Sequence, residues 1–266
     1  MKKQTPKEEW HVASVSFGKD SLAMLLLILE HPDKYPLDEV VFFDWGMEFD
    51  SIYNNRDKII PILQKKEIKF TQLTYETSFL YNFKEKLVHK KDGSVQFGYG
   101  WCGGRTRWGT DRKKQTIRKY YRSLQSKCIK EYIGIAADEI PRINRALANG
   151  QILPLVEYDM TEKDALNFCY DRGFHWYEAS GGGQVELYDI LDRVSCWCCK
   201  NKNLKELRNI YHYLPNYWKK LEELQSYTKY PYKEYTYKKC FCGHIDDLAA
   251  RFDDEDNQIR KKEECL

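Results

Sequence analysis

The stretch SVSFGKDSLAMLLL, at residues 14–27 of this 266-residue chain, gives the clearest indication of the fold. Residues 12–17 have the apolar pattern of a buried strand and residues 21–30 that of a buried helix, which leaves Gly18 and Lys19 in a tight turn between them. A strand, a short turn and a helix in this order aim backbone N–H groups and the positive end of the helix dipole at an anion. The stretch therefore predicts an α/β fold with a phosphate at this turn, and a solvated Lys–Asp turn is the alternative.

The turn differs from the P-loop, in which two glycines are separated by four residues and followed by lysine and a hydroxyl residue. Ala13 replaces the first glycine, and Asp20 follows Lys19. A loop this short cannot wrap the β- and γ-phosphates of a nucleotide, whereas it suits a pyrophosphate or another terminal anion. Gly18 is expected to let the chain turn and to let the phosphate approach the backbone.

Apolar strands and amphipathic helices alternate along the next part of the chain. Further strands are predicted at residues 39–44, 69–75, 130–138 and 152–158. Further helices are predicted at residues 51–66, 79–89 and 111–126, and after Thr161, which is expected to cap its helix with Asp164 three residues on. This alternation is typical of a doubly wound, mostly parallel sheet.

The alternation predicts two regions. Residues 1–180 are expected to form an α/β nucleotide-binding domain, and residues 181–266 a helical, cysteine-rich C-terminal region. No clear strand is expected after the glycines at 181–183. The Tyr/Lys-rich residues 229–240 are expected to be extended and on the surface.

Composition excludes some function classes. The chain is 42% hydrophobic and carries a net charge of +3, so it can bury a core but its overall charge identifies no partner. The longest apolar run, residues 22–29, is far too short to span a bilayer, and no leader-like apolar segment follows the N-terminal lysines. We therefore expect a soluble, cytoplasmic protein without a membrane partner, and nine cysteines that serve metal or thiol chemistry.

Six segments resemble, in the same order, the phosphoadenosine phosphosulfate (PAPS) reductase family of the adenine nucleotide α-hydrolase-like (PP-loop) superfamily. They are SFGKDS (16–21), VVFFDWGMEF (40–49), WCGGRTRWGTDRKKQTIRKYY (101–121), YIGIAADEIPRI (132–143), LPLVEYDMTEKDALNFCYDRGF (153–174) and RVSCWCCK (193–200). The resemblance implies that family's α/β fold and an adenine nucleotide as ligand. The intact Gly-Lys-Asp-Ser favours ATP, whereas the rest of the chain favours the reductases.

Polar residues after two of the predicted strands add to the expected nucleotide site. In a doubly wound sheet, ligands bind at the carboxyl ends of the strands, so Asp44 and residues 134–142 are expected to converge on the loop. Asp44 and Glu48 could contact the nucleotide or hold Mg²⁺, with capping as the alternative for Glu48 and a local ion-pair set as the alternative for residues 138–142. The predicted nucleotide-binding residues are Ser14, Ser16, Phe17, Gly18, Lys19, Asp20, Ser21, Asp44, Glu48, Gly134, Asp138, Glu139 and Arg142.

A basic segment carries the other predicted catalytic residues. Residues 105–130 contain ten Lys or Arg and one acid, and they could bind a nucleic-acid backbone, a small anionic nucleotide, or only solvent. Cys102 precedes this segment and is a candidate thiol nucleophile or metal ligand. The predicted catalytic residues are Lys19, Asp20, Cys102, Arg105 and Arg107.

Two cysteine pairs predict a metal site. Cys196 and Cys199 form a Cys-x-x-Cys, and Cys240 and Cys242 form a Cys-x-Cys. Four thiolates from two short turns suit tetrahedral zinc and equally an iron–sulfur cluster. Cys198 would be a spare thiol and His244 a substitute ligand, whereas Cys128 and Cys169 are expected to be buried small apolar residues.

The resemblance implies an enzyme that cleaves ATP at the α-phosphate, releases pyrophosphate and transfers sulfur, with Mg²⁺ at the phosphates. A thiol-dependent PAPS reductase is the alternative, although the C-terminal KKEECL with Cys265 only partly matches the catalytic tail of those enzymes. A second alternative is a nucleotide- or nucleic-acid-binding protein without turnover. A nucleic acid or thiol donor as partner, and a homodimer, are left open.

Overall fold

The computed structural model describes residues 8–104, 106–124, 127–237 and 240–263, apart from the side chains of residues 236, 237, 240–242 and 263. The strands are β1 (Glu8–Ser14), β2 (Glu39–Phe43), β3 (Lys69–Leu73), β4 (Leu87–His89), β5 (Val95–Phe97), β6 (Lys127–Ile133), β7 (Tyr177–Ser180), β8 (Gly183–Glu186), β9 (Tyr235–Tyr237) and β10 (Cys240–Cys242). The helices are α1 (Lys19–Glu30), α2 (Asp50–Lys65), α3 (Trp108–Ser123), α4 (Ile140–Ala148), α5 (Pro154–Glu157), α6 (Glu162–Tyr170), α7 (Leu187–Ile190), α8 (Leu204–Tyr213), α9 (Pro215–Ser226) and α10 (Ile245–Glu263), and Tyr81–Glu85 forms a π-helical turn.

These elements divide into two compact units. The first contains residues 1–75 and 111–176, and the second contains residues 76–110 and 177–266. The boundary near 176 lies close to the one expected at residue 180. Residues 76–110, however, group with the C-terminal part of the chain rather than with the α/β part in which the sequence places them.

The first unit is built on a four-stranded parallel sheet in the order β3-β2-β1-β6. Every pairing in it is parallel, and the register aligns Val12 with Glu39 and Ser14 with Ile133. Because β1 lies between β2 and β6, their carboxyl ends meet at one edge of the sheet, where ligands of such sheets bind. The predicted α/β fold with a parallel sheet is confirmed.

Helix α1 is buried on nearly all sides, because its sequence from Leu22 to Leu29 is continuously apolar. It packs against α5 and α6 in this unit. A helix that is apolar all round is held by packing rather than by an amphipathic stripe. Its position over the sheet therefore fixes the position of the loop that precedes it.

A buried carboxylate ties α3 to the sheet. Glu39, at the start of β2, is fully buried and accepts hydrogen bonds from Trp10 Nε1 at 2.9 Å, Thr71 Oγ1 at 2.5 Å and Tyr120 Oη at 2.5 Å. Burial raises the pKa of Glu39, but these donors and Lys69 outweigh burial and leave the pKa below its usual value. The ionised carboxylate is thus the form that the fold stabilises.

The second unit contains hairpins that the sequence does not reveal. β4 pairs with β5, β7 with β8, and β9 with β10, all antiparallel. The expectation of no further strand after residues 181–183 is therefore wrong, since Gly181 and Gly182 form the turn of the β7–β8 hairpin and Gly183 begins β8. The expected helix at residues 79–89 is also wrong in its second half, where β4 replaces it because its residues pair with β5.

Residues 152–158 form no strand, contrary to expectation. Ile152 makes an isolated parallel bridge with Tyr132, and the short helix α5 begins at once with Pro154. Proline suits the first turn of a helix, where its missing N–H leaves no hydrogen bond unmade. The capping box of Thr161 and Asp164 at the start of α6 is confirmed.

Two burial expectations are wrong. Cys128 is exposed, because β6 is the last strand of the sheet order and this residue faces away from the core. Tyr232, in the segment expected on the surface, is fully buried and packs its ring edge-on against Trp101. Cys169, in contrast, is buried as expected. None of the helices in the described part of the chain has the length and apolar character that crossing a bilayer needs.

Candidate functional site

The turn between β1 and α1 is made by Phe17 and not by Gly18. Phe17 has a φ of 59°, in the left-handed region, whereas Gly18 has an extended φ of −76° that any residue adopts. The expectation that Gly18 supplies the conformational freedom is wrong for this reason. A left-handed residue other than glycine costs of order 1–3 kcal/mol and persists only where its surroundings hold it.

Three aromatic residues hold Phe17 in this conformation. Its ring is fully buried and contacts Phe42 edge-on at 5.2 Å and Phe70 at 6.4 Å between centroids. Its carbonyl accepts a hydrogen bond from the buried Trp176 Nε1 at 2.8 Å. The loop backbone is thus anchored from the core side, while Ser16 beside it is exposed.

The loop presents an open helix N-terminus. Within the described part of the chain, no side chain caps the start of α1 at Gly18. The Ser21 hydroxyl donates to the Gly18 carbonyl at 3.1 Å and accepts from the Ser16 N–H at 3.1 Å, so both serines shape the loop. An uncapped first turn with its N–H groups directed outward is an anion-binding arrangement.

Lys19 is buried beneath this turn and contacts two carboxylates. Its side chain is 9% exposed, and its Nζ lies 2.9 Å from Asp20 Oδ1 and 2.5 Å from Glu162 Oε2. Burial raises the pKa of Asp20, and the adjacent lysine opposes that rise. The lysine predicted to bind phosphate is therefore at the loop, with its charge balanced by the protein's own acids.

Gly134 and Cys169 support the loop. A Cβ on Gly134 would lie 2.6 Å from both the Asp20 carbonyl oxygen and the Ser21 Cα, so only glycine permits this approach of the loop after β6 to α1. The Cys169 thiol donates to the Lys19 carbonyl at 3.5 Å, and burial raises its pKa to about 12. Cys169 is thus a packed thiol and not a reactive one.

Two of the predicted residues follow β2. Asp44 Oδ1 accepts hydrogen bonds from the Gly46 N–H at 2.7 Å and the Tyr53 hydroxyl at 2.9 Å, and its Oδ2 accepts one from Gln72 Nε2 at 3.1 Å. Glu48 is half-buried two residues before the start of α2. The parallel register places Asp44 at the same sheet edge as the loop.

The acidic and basic residues after β6 take separate roles. Arg142 Nη1 bonds both carboxylate oxygens of Glu139, so these two form the local ion pair that was the alternative reading of this segment. Asp138 Oδ1 accepts the Glu162 N–H at 3.2 Å and so joins the loop after β6 to the first turn of α6.

Cys102 lies in the second unit, six residues before the start of α3. It is half-buried, and its Sγ accepts a hydrogen bond from the Gly109 N–H at 3.2 Å. An N–H in the first turn of a helix stabilises a thiolate, because it adds to the helix dipole. Arg107, one residue before the helix, is exposed, and Arg105 lies outside the described residues.

The segment around Cys102 packs against the cysteine-rich turn. The Lys200 N–H donates to the Cys102 carbonyl at 3.2 Å, and the Gly104 N–H donates to Asn201 Oδ1 at 2.8 Å. A Cβ on Gly103 would lie 2.8 Å from the Cβ of Lys200. Residues 101–104 and 199–201 thus form one compact substructure.

Cys196, Cys198 and Cys199 share one tight turn, closed by a 3.0 Å bond from the Cys199 N–H to the Cys196 carbonyl. The buried Lys202 follows, and burial lowers its pKa while the thiols and Glu206 oppose that decrease. No group of three or more potential ligands that could hold a metal occurs among the described residues. The side chains of Cys240 and Cys242 lie outside them, so the predicted four-thiolate site stays a prediction.

Two residues at the loop, Glu162 and Trp176, were not singled out from the sequence. Glu162 directly follows the predicted cap Thr161, which was the one available signal for it. The position of Trp176 depends on contacts between distant segments, and so does the left-handed conformation of Phe17, a residue that the sequence analysis had listed at the loop.

Part of the chain matches a known protein family. Residues 10–130 match the family described as "Phosphoadenosine phosphosulfate reductase domain". The fold belongs to the α/β class, as the resemblance implied. The family match covers less than half of the 266-residue chain.

Two individual proteins are similar to the chain. An uncharacterized protein of Methanocaldococcus jannaschii is 26% identical over 230 residues, which cover 80% of this chain and 41% of that protein. The chain thus spans about two fifths of the length of this relative. The second is a solved structure of the U34-tRNA thiolase NcsA from Methanococcus maripaludis with its 4Fe–4S cluster, which is 15% identical in sequence. The alignment covers 65% of this chain and 60% of the thiolase chain, with a TM-score of 0.43.

Proposed function

We propose that the protein cleaves an adenine nucleotide at its α-phosphate, releases pyrophosphate and couples this step to sulfur transfer. The observation that carries the proposal is the uncapped N-terminus of α1 with the buried Lys19 below it, at the carboxyl edge of the sheet of a PAPS reductase domain. Backbone N–H groups and one lysine can hold a pyrophosphate, but a loop of this length does not enclose a triphosphate.

The proposed chemistry needs charge stabilisation where the pyrophosphate leaves. Lys19 and the first N–H groups of α1 would stabilise the negative charge that develops on the leaving group. Mg²⁺, held by the phosphates with Asp44 as a candidate ligand, would supply further positive charge there. The acceptor would thereby be adenylated and primed for attack by sulfur.

We propose that Cys102 takes part in the sulfur-transfer step. Its Sγ accepts the Gly109 N–H in the first turn of α3, which favours the nucleophilic thiolate form. A sulfur nucleophile that attacks the adenylated acceptor displaces AMP. The acceptor would be a nucleobase or a nucleic acid, and the basic surface of α3 with Arg107 suits an anionic acceptor.

Product analysis tests the reaction. With ATP, Mg²⁺, a sulfide donor and bulk RNA as the acceptor, we expect AMP and pyrophosphate in equal amounts, measured by chromatography and a coupled pyrophosphate assay. Guanine nucleotides should react more slowly. ADP and orthophosphate as the only products would contradict the proposal, and nucleotide binding without any product would favour a binding protein.

The family match favours a second candidate, a thiol-dependent PAPS reductase. In that reaction a thiol attacks the sulfur of the sulfonucleotide and releases adenosine bisphosphate, and sulfite leaves after a second thiol resolves the adduct. Cys265 or an exogenous thiol would be the attacking thiol. Sulfite release from PAPS in the presence of a thiol, with no turnover of ATP, would select this candidate.

We also propose a structural metal site, either zinc or an iron–sulfur cluster, on Cys196, Cys199, Cys240 and Cys242. The turn that joins Cys196 and Cys199 fits two thiolates on one ion. Cys199→Ser and Cys240→Ser should each lower metal content and melting temperature together, measured by elemental analysis, absorption spectra and thermal melts of anaerobic protein. Cys128→Ser, at an exposed position of β6, is the control. Full occupancy with an unchanged melting curve in either variant would show that the pairs do not share a site.

A further inference from the structure

We propose that Glu162 is a displaceable counter-ion of Lys19, which an incoming phosphate must replace before the loop can bind it. The inference rests on the proposed function of the loop. Glu162, the first residue of α6, would thus control how tightly the loop binds anions, because its carboxylate neutralises Lys19 when no phosphate is bound.

The charges at the loop motivate the inference. The Lys19 ammonium contacts two carboxylates, Asp20 at 2.9 Å and Glu162 at 2.5 Å, so this group of three carries a net charge of −1. Asp138 adds a further carboxylate next to the Glu162 N–H, whereas Glu139 is balanced by Arg142. A phosphate that approaches the uncapped start of α1 therefore meets a lysine whose charge is already compensated.

Of the two carboxylates, Glu162 is the one that can leave. Its side chain is 40% exposed, and that of Asp20 is 23% exposed and adjacent to Lys19 in the chain. Because the Glu162 end of this ion pair is exposed to solvent, water screens the interaction, and a phosphate that takes the place of the carboxylate can offset its loss. Lys19 is held by the buried start of α1 and stays in place.

Glu162 is not needed to build its own helix. The start of α6 is secured by the capping box of Thr161 and Asp164, in which each residue bonds the backbone N–H of the other. Its backbone N–H, bonded to Asp138, remains in any variant of the side chain. The carboxylate of Glu162 can therefore pair with Lys19, and its removal should not impair the formation of α6.

The test measures binding of inorganic pyrophosphate by titration calorimetry without Mg²⁺. Glu162→Gln removes the competing charge and should bind pyrophosphate roughly three- to tenfold more tightly, the range expected for loss of one partly exposed ion pair. Glu162→Asp should restore most of the wild-type affinity. The matched control is Glu157→Gln, which removes the same charge from a carboxylate that contacts Lys34 and Tyr35.

A double variant distinguishes an effect of Glu162 through its contact with Lys19 from a long-range electrostatic effect of the Glu162 charge on the phosphate. If Glu162 acts through Lys19, Glu162→Gln should bring no gain in a Lys19→Met background, measured at millimolar pyrophosphate. A gain of the same size there, or unchanged or weaker binding by the single Glu162→Gln variant, would overturn the inference. If the wild-type protein binds neither pyrophosphate nor ATP, the proposed function itself fails, and the inference fails with it.

Discussion

Replacing Lys19 by alanine is expected to weaken nucleotide binding and turnover by roughly ten- to hundredfold, because a hydrogen bond to a charged group is worth about 1.5–3 kcal/mol. In the proposed reaction this ammonium faces the pyrophosphate as negative charge develops on it, so turnover should fall at least as far as binding. The measurement is ATP affinity by calorimetry together with the rate of pyrophosphate release.

Two comparisons show whether the loss is local. Lys163→Ala removes an exposed lysine of α6 and should leave both quantities unchanged. Lys19→Ala leaves Asp20 and Glu162 without their shared cation, so a thermal melt is needed to show that the variant remains folded. Wild-type affinity and wild-type activity in a folded Lys19→Ala protein would overturn the assignment of the loop.

Replacing Gly134 by alanine should have the largest effect on stability. The added Cβ would lie 2.6 Å from backbone atoms of Asp20 and Ser21, and backbone cannot rotate away as a side chain can. Forcing an extra methyl group into such a contact costs typically about 1–3 kcal/mol. For a chain of this size, each kcal/mol corresponds to roughly 2–4 °C in melting temperature.

The same substitution should also impair the loop. The start of α1 has to move away from β6, and a displacement of about 1 Å at a site can reduce activity on the order of a hundredfold. Gly182→Ala, in the β7–β8 turn, is the control because a Cβ there meets nothing within 4 Å. A Gly134→Ala protein that melts like the control and binds ATP normally would show that this contact does not support the site.

Local sequence determined the parts of the fold that depend on neighbouring residues. The apolar runs of β2 and α1 and the capping box at Thr161 form as expected, because hydrophobic periodicity and capping act within a few residues. The first strand also forms, but it spans Glu8–Ser14 rather than residues 12–17. The order of strand, turn and helix was enough to predict a turn at Gly18 and Lys19 directly before a helix. Three of the six motifs lie within residues 10–130, which match the PAPS reductase domain family.

Other features depend on contacts between segments far apart in the chain. Residues 152–158 are apolar enough for a strand, yet they turn into α5 because β6 offers only one bridge, at Tyr132, and Pro154 suits a helix start. Cys128 looks buried from its neighbours, but its exposure depends on β6 being last in the sheet. Hairpin pairing after residue 176 has the same origin, since short strands exist only through their partners.

Local sequence and tertiary contacts each determine part of the loop between β1 and α1. Its residues and their order predict an anion-binding turn from the chain alone. Only the tertiary structure assigned the left-handed conformation to Phe17, through Phe42, Phe70 and the Trp176 hydrogen bond. Only the tertiary structure placed Glu162 on Lys19, 143 residues away, because an ion pair forms wherever packing brings two side chains together and leaves no periodic mark in the sequence.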